Sequence, residues 1–217
     1  MSIASKRPQD NDFTLKIGNV NGTGSASANS MLMKSLFRMG IPVCGKNYFP
    51  SNIQGLPTWY EIRVNAEGHL ARSGRVDVMI AMNAETYRKD HSEVATGGYL
   101  VYDSTWPRSQ LFNRADIHIL GVPLSRICNE NFDNARSRIL MKNIMYVGVL
   151  AALLDLDMNI IKQLLNEQFA AKASLLDANQ KAIDLGFAYA REHFSCPLPF
   201  RARALDNTVY VVAPNPA

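Results

Sequence analysis

The chain has 217 residues, 47% of them apolar and 19% charged, so it can build a buried core and does not have the composition of a disordered segment. That length fits one domain with appendages, or one domain and part of a second. The net charge is +4, from 23 Lys and Arg against 19 Asp and Glu. The basic residues are scattered, as Lys6-Arg7, Arg72, Arg75, Arg201 and Arg203 illustrate. Weak steering toward anionic ligands or acidic partners is therefore expected, and no nucleic-acid partner. Cys44, Cys128 and Cys196 are odd in number, far apart and without CxxC spacing, which argues against a disulfide framework and against a zinc or iron–sulfur site. A reducing cytoplasm fits this cysteine usage. Met1–Asp12 is polar and does not read as a signal peptide. The longest apolar stretch, Ile144 to Leu156, is broken by Asp155 and is shorter than the ~18 residues of a membrane span. A soluble cytoplasmic protein with no membrane partner is expected.

Residues 1–11 read as a flexible polar lead-in. Phe13–Ile17 is a short strand, followed by the glycine-rich run Gly18–Ser25. Met31, Leu32, Ser35, Leu36 and Met39 recur at helical spacing, which predicts a helix from about Ser25 to Met39 closed by Gly40. Residues 41–49 read as a strand, 50–57 as a loop, and Thr58–Val64 as an alternating strand. Val76–Met82 is a nearly continuous apolar run, as in a buried parallel strand. Asn83 is placed to cap a helix over roughly 84–93, and Gly97-Gly98 to turn the chain into a strand at Tyr99–Tyr102. A further strand covers Asp116–Leu120. From Ser125 onward the pattern is helical: a long helix with Ile139, Asn143, Ile144, Val147, Leu150, Ala151 and Leu154 on one face, then helices over about 158–169 and 175–193. The alternation predicts an α/β fold, a Rossmann-like open and mostly parallel sheet flanked by helices, with a helical C-terminal portion. Residues 12–195 form the expected domain, and 196–217 a Pro-punctuated exit.

Gly22-Thr23-Gly24-Ser25 is the strongest local signal for chemistry. Small residues between a strand and a helix let backbone N–H groups approach an anion at a helix N-terminus. The pattern is G-x-G-x-x-S rather than G-x-G-x-x-G, and the acid expected about 20 residues later in a dinucleotide fold is missing. No G-K-[ST] follows, so it is not a P-loop. Two readings stand: an anion cradle or a tight structural turn. His69, His91, His118 and His193 show no metal-ligand spacing. Cys44 is expected to be a small buried hydrophobe, and Trp59-Tyr60 either core or an interface anchor. Glu61 and Arg63 share a strand face and are expected as an exposed pair. Asn143, on an apolar helix face, needs a hydrogen-bond partner and is expected to fasten a loop of its own domain.

The run GNVNGTGSASANSMLMKSLFRMGIPVCGKNYFPSNIQGLPTWYEIRV (18–64) closely resembles the N-terminal segment of the alpha subunit of 2-oxoacid, typically 2-oxoglutarate, ferredoxin oxidoreductases, the gamma-type domain. The resemblance continues through VDVMIAMNAET (76–86), GGYLVYDST (97–105), ILGVPLSRICNE (119–130), KNIMYVGVLAALLDLD (142–157) and CPLPFR (196–201). It implies an enzyme that cleaves a 2-oxoacid with thiamine diphosphate, passes electrons through iron–sulfur clusters to ferredoxin, and forms an acyl-CoA. It implies that thiamine diphosphate and the clusters sit on other modules, so that this chain alone is inactive and carries no catalytic residue. Its partners would be the thiamine-binding alpha and beta modules and, indirectly, ferredoxin. Residues 196–217 would be a linker or the start of a thiamine-pyrimidine-binding domain. Coenzyme A is the cofactor implied for this domain. Because open α/β sheets bind ligands outside the carboxyl ends of their strands, the candidate contacts are Asn19, Asn21, Gly22, Thr23, Gly24 and Ser25; Ser51, Asn52 and Gln54; Asn83; and Asp103, Ser104 and Thr105. Lys46 and Arg63 are candidates to supply charge. Asn52 and Gln54 could instead fix an irregular loop or an interface. The rival functions are a stand-alone nucleotide- or CoA-binding module and a purely structural interface domain.

Overall fold

The computed structural model describes residues 9–49, 53, 55–108, 113–170 and 172–205. Its elements in chain order are β1 (Gln9–Asp10), β2 (Asp12–Val20), α1 (Ser25–Arg38), β3 (Val43–Tyr48), β4 (Pro57–Asn65), β5 (Val76–Ala81), α2 (Tyr87–Glu93), β6 (Val94–Asp103), β7 (His118–Val122), α3 (Leu124–Asn131), α4 (Ala135–Leu154), α5 (Met158–Phe169), α6 (Ala173–His193) and β8 (Phe200–Arg201). Six strands form one sheet in the order β3-β4-β2-β5-β6-β7. β2, β5, β6 and β7 run parallel, and the β3–β4 hairpin joins the β2 edge antiparallel. The expected α/β fold with an open, mostly parallel sheet is present. Strand order reverses at β2: the chain leaves it through α1 for β3 on one side and returns to β5 on the other.

The two faces of the sheet are covered unequally. One face packs Phe13, Leu15, Ile17, Ile62, Val78, Ile80 and Val101 against α1, α3, α4, α5 and α6 in one large core. On the other, Met79, Ala81, Leu100 and Tyr102 pack with Tyr87 and Val94 in a smaller cluster beneath the short α2. β5 is buried along its whole length, as its unbroken apolar run predicts. Its one acid, Asp77, is matched by the Arg75 guanidinium and by the Thr14 N–H at 3.0 Å.

The central strut is α4. From Met141 to Leu154 every residue except Lys142 is buried. The helix is long and apolar enough by length and composition to cross a bilayer, yet 72% of that apolar window is buried inside the fold. Asn134 caps it by accepting the Ser137 N–H at 2.7 Å, and Asp155 ends it in the left-handed region at φ 60. Against it lies α6, close enough that a Cβ on Gly148 would stand 2.0 Å from the Ile183 carbonyl oxygen and one on Gly186 2.1 Å from that of Met145. Two backbones in direct contact leave no room for a methyl group. Reciprocal glycines at 148 and 186 therefore set the separation of the two helices.

Several sequence expectations change. Residues 9–11 are not a loose lead-in: β1 pairs in parallel with β8, and buried Asn11 donates to the Arg203 carbonyl and accepts its N–H, both at 2.8 Å. The exit segment is likewise part of the domain up to Leu205, with Leu198, Phe200 and Ala202 buried in the core; 206–217 lie outside the described residues. Gly97-Gly98 does not start a strand but sits within β6, where Gly97 at φ 73 accompanies a register shift against β5. The helix after Asn83 begins only at Tyr87, because Asn83–Thr86 forms a separate turn with Thr86 N–H bonded to the Asn83 carbonyl at 3.1 Å. Ile139 is exposed, and so is Cys44, on the hairpin edge of the sheet. Trp59 and Tyr60 are core residues.

Gly148→Ala or Gly186→Ala is expected to force α4 and α6 apart and lower stability by about 1–3 kcal/mol, as overpacking does. Urea unfolding measures it, and wild-type midpoints would show that the helices are not locked at this spacing.

Candidate functional site

β2 leaves the sheet at Val20, and the next four residues reverse the chain into α1. Gly22 at φ 88 and Gly24 at φ 79 occupy the left-handed region, which glycine enters without steric cost. The Thr23 hydroxyl turns back to donate to the Val20 carbonyl at 3.0 Å. Gly24 is the N-cap, no side chain caps the helix, and its first turn carries no acid. The backbone N–H groups of that turn and the positive end of the helix dipole together favour an anion.

This loop is tied down from below by α4. The Asn143 amide donates to the Thr23 carbonyl at 2.7 Å and accepts from the Asn19 amide at 3.2 Å, while Asn19 also accepts the Val20 N–H at 2.9 Å. Both asparagines are buried. Asn143 thus fastens a loop of its own domain, as its position on an apolar face implies. Leu140, one turn earlier, leans on the loop so closely that a Cβ on Gly24 would lie 2.5 Å from its Cδ2. On the other flank Asn21 N–H bonds the Leu56 carbonyl and Gly55 N–H the Asn21 carbonyl, joining the loop to the β3–β4 hairpin.

Two more strand ends reach the same pole. After β5 the Met82 N–H bonds the Gly18 carbonyl, and Asn83 closes its turn by accepting the Glu85 N–H at 3.1 Å. After β6 the buried Asp103 carboxylate accepts from the Thr105 hydroxyl at 2.6 Å, the Thr105 N–H at 3.2 Å, and the hydroxyl and N–H of Ser125. Lys142 Nζ stands 3.7 Å from it. With so many donors Asp103 is a fixed anchor for the 103–105 loop. Arg108 lies 5.2 Å from the Tyr87 ring centroid, on the side of this pole nearest α2.

The sequence-derived candidates therefore divide. Asn19, Asn21, Gly22, Thr23, Gly24, Ser25, Asn83, Asp103, Ser104 and Thr105 gather at the carboxyl ends of the parallel strands. Lys46 and Arg63 do not. Arg63 pairs in register with Thr14, six residues back from Val20, or about 20 Å at strand spacing. It is held there by Asp12 and the Val64 carbonyl. Lys46 is in register with Glu61 and through it with Lys16, about 13 Å from the loop, and is exposed near the Tyr48 ring. The two errors have different causes: Arg63 is late in β4, which runs antiparallel to β2 and so carries its late residues to the far end of the sheet, whereas Lys46 sits in the middle of β3 rather than at its end. Glu61 and Arg63 also form no exposed pair, since Glu61 is buried between Lys16 and Arg72. Ser51, Asn52 and Gln54 lie outside the described residues. Sequence reasoning missed Lys142, Ser125 and Arg108, and the adjacency of Lys142 to Asn143 on α4 was the available signal. Among the described residues no three His, Cys, Asp or Glu side chains converge as a metal site.

Beneath the sheet lies one perturbed acid. Asp90 is fully buried, accepts from the Trp59 indole at 2.7 Å and the Thr86 hydroxyl at 2.6 Å, and occupies the space a side chain at Gly18 would need. Burial pushes its carboxyl up to about 7, against those two hydrogen bonds, with Glu93 adding to the rise and Lys16 opposing it. The folded state thus holds this proton more tightly than the unfolded chain, whose carboxyl titrates near 3.8. Stability from this group is complete below pH ~4, declines as pH rises to ~7 and is flat above. In urea unfolding between pH 4 and 8, Asp90→Asn is expected to flatten that decline relative to wild type. Parallel curves for the two proteins would refute the assignment.

Asn143→Leu is expected to leave the Asn19 amide and Thr23 carbonyl without their partner, at a cost of about 1–3 kcal/mol. Hydrogen exchange should quicken at amides 20–26 and not at β5; uniform exchange across both would show that Asn143 does not hold the loop.

Comparisons with known proteins bear on the family and on the fold. The family model described as pyruvate ferredoxin/flavodoxin oxidoreductase matches residues 14–189. The 2-oxoacid:ferredoxin oxidoreductase 2, subunit alpha, of Aeropyrum pernix is 24% identical over 225 residues, covering 86% of this chain and 35% of that protein. The chain therefore spans about a third of the length of that curated relative. Among solved structures, 2-oxoglutarate:ferredoxin oxidoreductase from Magnetococcus marinus, with 2-oxoglutarate, coenzyme A and succinyl-CoA bound, superposes with a TM-score of 0.79 at 23% identity. That match covers 90% of this chain and 34% of that one. Pyruvate oxidoreductase subunit PORC from Thermotoga maritima superposes with a TM-score of 0.67 at 16% identity, over 82% and 96% of the two chains.

Proposed function

The chain belongs to the pyruvate ferredoxin/flavodoxin oxidoreductase family, and from that premise we propose that it is the gamma-type domain or subunit of a 2-oxoacid:ferredoxin oxidoreductase of the 2-oxoglutarate type. In this reading it assists the CoA-dependent oxidative decarboxylation of a 2-oxoacid to an acyl-CoA, in the cytoplasm. Thiamine diphosphate and the iron–sulfur clusters belong to partner modules, and ferredoxin is met through them. The Magnetococcus marinus structure, which contains coenzyme A and succinyl-CoA, supports this choice of substrate class and of ligand.

The observation that carries the ligand assignment is the position of the glycine turn. It opens α1 at the carboxyl end of β2, where the strand order reverses, and such a switch point is where open α/β sheets form a ligand crevice. The residues fit an anionic group. Gly22 and Gly24 supply the left-handed backbone that turns the chain into α1, α1 starts without an acid or a side-chain cap, and Lys142 is part-exposed on the adjoining turn of α4. A bound CoA would supply the thiol that accepts the acyl group. The work of this chain is to seat its phosphates on the N–H groups of residues 24–26 and to hold that seat still through Asn143. Asp103 keeps the 103–105 loop in place as the opposite wall.

A second reading is favoured by one contact: Leu140 already leans on Gly24, so the turn also serves packing within the domain. Calorimetric titration of CoA, with ATP and NAD as controls, separates the two. Selective CoA binding is expected, weakened about tenfold or more, equivalent to ~1.4 kcal/mol, in Gly24→Val. Absence of any CoA heat from the wild-type chain would withdraw the ligand assignment and leave the loop as scaffold.

A further inference from the structure

The Asp90 carboxyl lies where two parts of the molecule meet. It is fully buried under β2, in the space that a side chain at Gly18 would need. Its Oδ1 accepts from the Trp59 indole of β4 at 2.7 Å. Its Oδ2 lies 2.6 Å from the Thr86 hydroxyl, and the same hydroxyl lies 3.0 Å from the Asn83 carbonyl oxygen. Thr86 is itself fully buried, so bulk water does not reach that hydroxyl. A hydroxyl carries one proton and cannot donate fully to two oxygens at once. Which oxygen receives it depends on Asp90. A neutral carboxyl donates through Oδ2 to the Thr86 oxygen, and the hydroxyl proton then goes to the Asn83 carbonyl. An ionised carboxylate only accepts, so the hydroxyl turns toward it and the Asn83 carbonyl is left with the Thr86 N–H, at 3.1 Å.

We propose that Thr86 is a proton-directed latch: the charge of Asp90 beneath the sheet sets whether the Asn83 carbonyl, in the turn that follows β5, is held by two hydrogen bonds or by one. The proton of Asp90 leaves to solvent, the hydroxyl rotates, and no covalent bond between heavy atoms changes. The surroundings set the poise. On α2, Glu93 disfavours a charge at Asp90, while Lys16 of β2 favours it. Lys16 is already divided between Glu93 at 2.6 Å and Glu61 of β4 at 4.0 Å. Lys89 stands 4.0 Å over the Trp59 ring and 3.8 Å from Glu93. The Tyr87 phenol of the same helix is pushed up first by burial and in part by Asp103 and Asp90, with Arg108 opposing. His91 follows Asp90 in the chain, and its carbonyl accepts from Arg114 at 2.8 Å. β5 and β6 meet α2 through Met79, Ala81, Leu100 and Tyr102, of which the Tyr102 phenol alone can titrate. Burial outweighs Lys16 and the two hydrogen bonds and lifts the Asp90 carboxyl to about 7. Below that pH the acid is neutral and the turn doubly held; above it the hydroxyl serves the carboxylate and the turn loosens. The latch consists of contacts within the domain and needs no ligand, but the turn it closes carries Asn83 at the same pole as the glycine loop.

Carbon-13 NMR of the labelled full chain over about pH 5 to 9 tests the latch by following the Asp90 carboxyl and the Asn83 carbonyl together. Both are expected to titrate with one midpoint near 7. Asp90→Asn, with its oxygen on the Trp59 indole, keeps a permanent N–H donor toward Thr86. It should hold the Asn83 carbonyl at its low-pH resonance throughout. Thr86→Val removes the hydroxyl and keeps the acid, so Asp90 should still titrate while the Asn83 carbonyl stays flat; Thr86→Ser should restore the carbonyl's titration. Exchange of the Thr86 amide, corrected for its intrinsic pH dependence, should lose about fivefold in protection above the midpoint in wild type and none in Asp90→Asn. An Asn83 carbonyl that stays flat in wild type while Asp90 titrates overturns the latch, as does an Asp90 that does not titrate in this range. A carbonyl that still titrates in Thr86→Val also overturns it, since the field of the carboxylate alone would then move it. If Thr86→Val does not fold, Asp90→Asn decides: an Asn83 carbonyl at the high-pH resonance there sinks the proposal.

Discussion

The contact between α4 and α6 is the constraint on which the rest of the molecule depends. At Gly148 and Gly186 the two backbones meet without side chains between them, which fixes α4 as a buried strut against one face of the sheet. The sheet strands, α1 and α3 then pack on the sides of a helix that has no freedom to shift. The same helix carries Asn143 and Leu140 at its upper end, so the position of the glycine turn is inherited from the packing of the core. A loop that must hold left-handed glycines in place gains this from a rigid element rather than from its own residues.

The opposite face of the sheet is built on different principles. Lys16 is buried and paired with Glu93 at 2.6 Å, with Glu61 at 4.0 Å and Arg72 next in the chain of charges. Tyr48 lies within 5.5 Å of Lys16, Lys46 and Arg72, and Lys89 stands 4.0 Å over Trp59. Charges taken from water this far hold only because each has a partner. Apolar packing on this side is confined to the cluster under α2, and the bond from Trp59 to Asp90 ties that short helix to β4. Its placement therefore depends on a carboxyl whose charge is costly, which is why its pKa lies so far above the ordinary range. The two faces thus differ in kind: one is set by volume and the other by charge pairing.

How much of this could be read from the sequence follows the same division. The helix over 158–169 matches its predicted bounds, and the fully buried run of β5 was legible because local periodicity and burial agree there. The Gly40 ending of α1 was legible from chemistry alone, since a left-handed C-terminal residue calls for glycine. Strand direction was not legible. Nothing in Thr58–Val64 reveals that it runs against β2, and that one fact moves Arg63 to the wrong pole as a site candidate. The pairing of β1 with β8 was hidden for a related reason, because it joins residues 191 apart and each strand is two residues long. Asn143 was correctly singled out as a buried amide in need of a partner, whereas its neighbour Lys142 looked like any solvated lysine until the helix placed it beside Asp103.

Parallel topology concentrates function at one pole. Four strands running the same way deliver four loops to the same end, and those loops can be elaborated without disturbing the sheet. Here the far pole carries the structural closure, with Asp10 held by Arg201 and Arg203 and Asn11 bonded to Arg203. The two outermost described segments, 9–11 and 198–205, are thereby joined away from the loops at the carboxyl ends of the strands. The near pole is left to the loops, among them the glycine turn that opens α1 with its N–H groups uncapped by any side chain. A phosphate held at a helix N-terminus gains strength when water is excluded from around it, because the local dielectric falls. On the proposed reading a phosphate seated at the start of α1 would be held by backbone N–H groups whose positions are already fixed by Asn143, so little ordering would remain to be done when the ligand arrives.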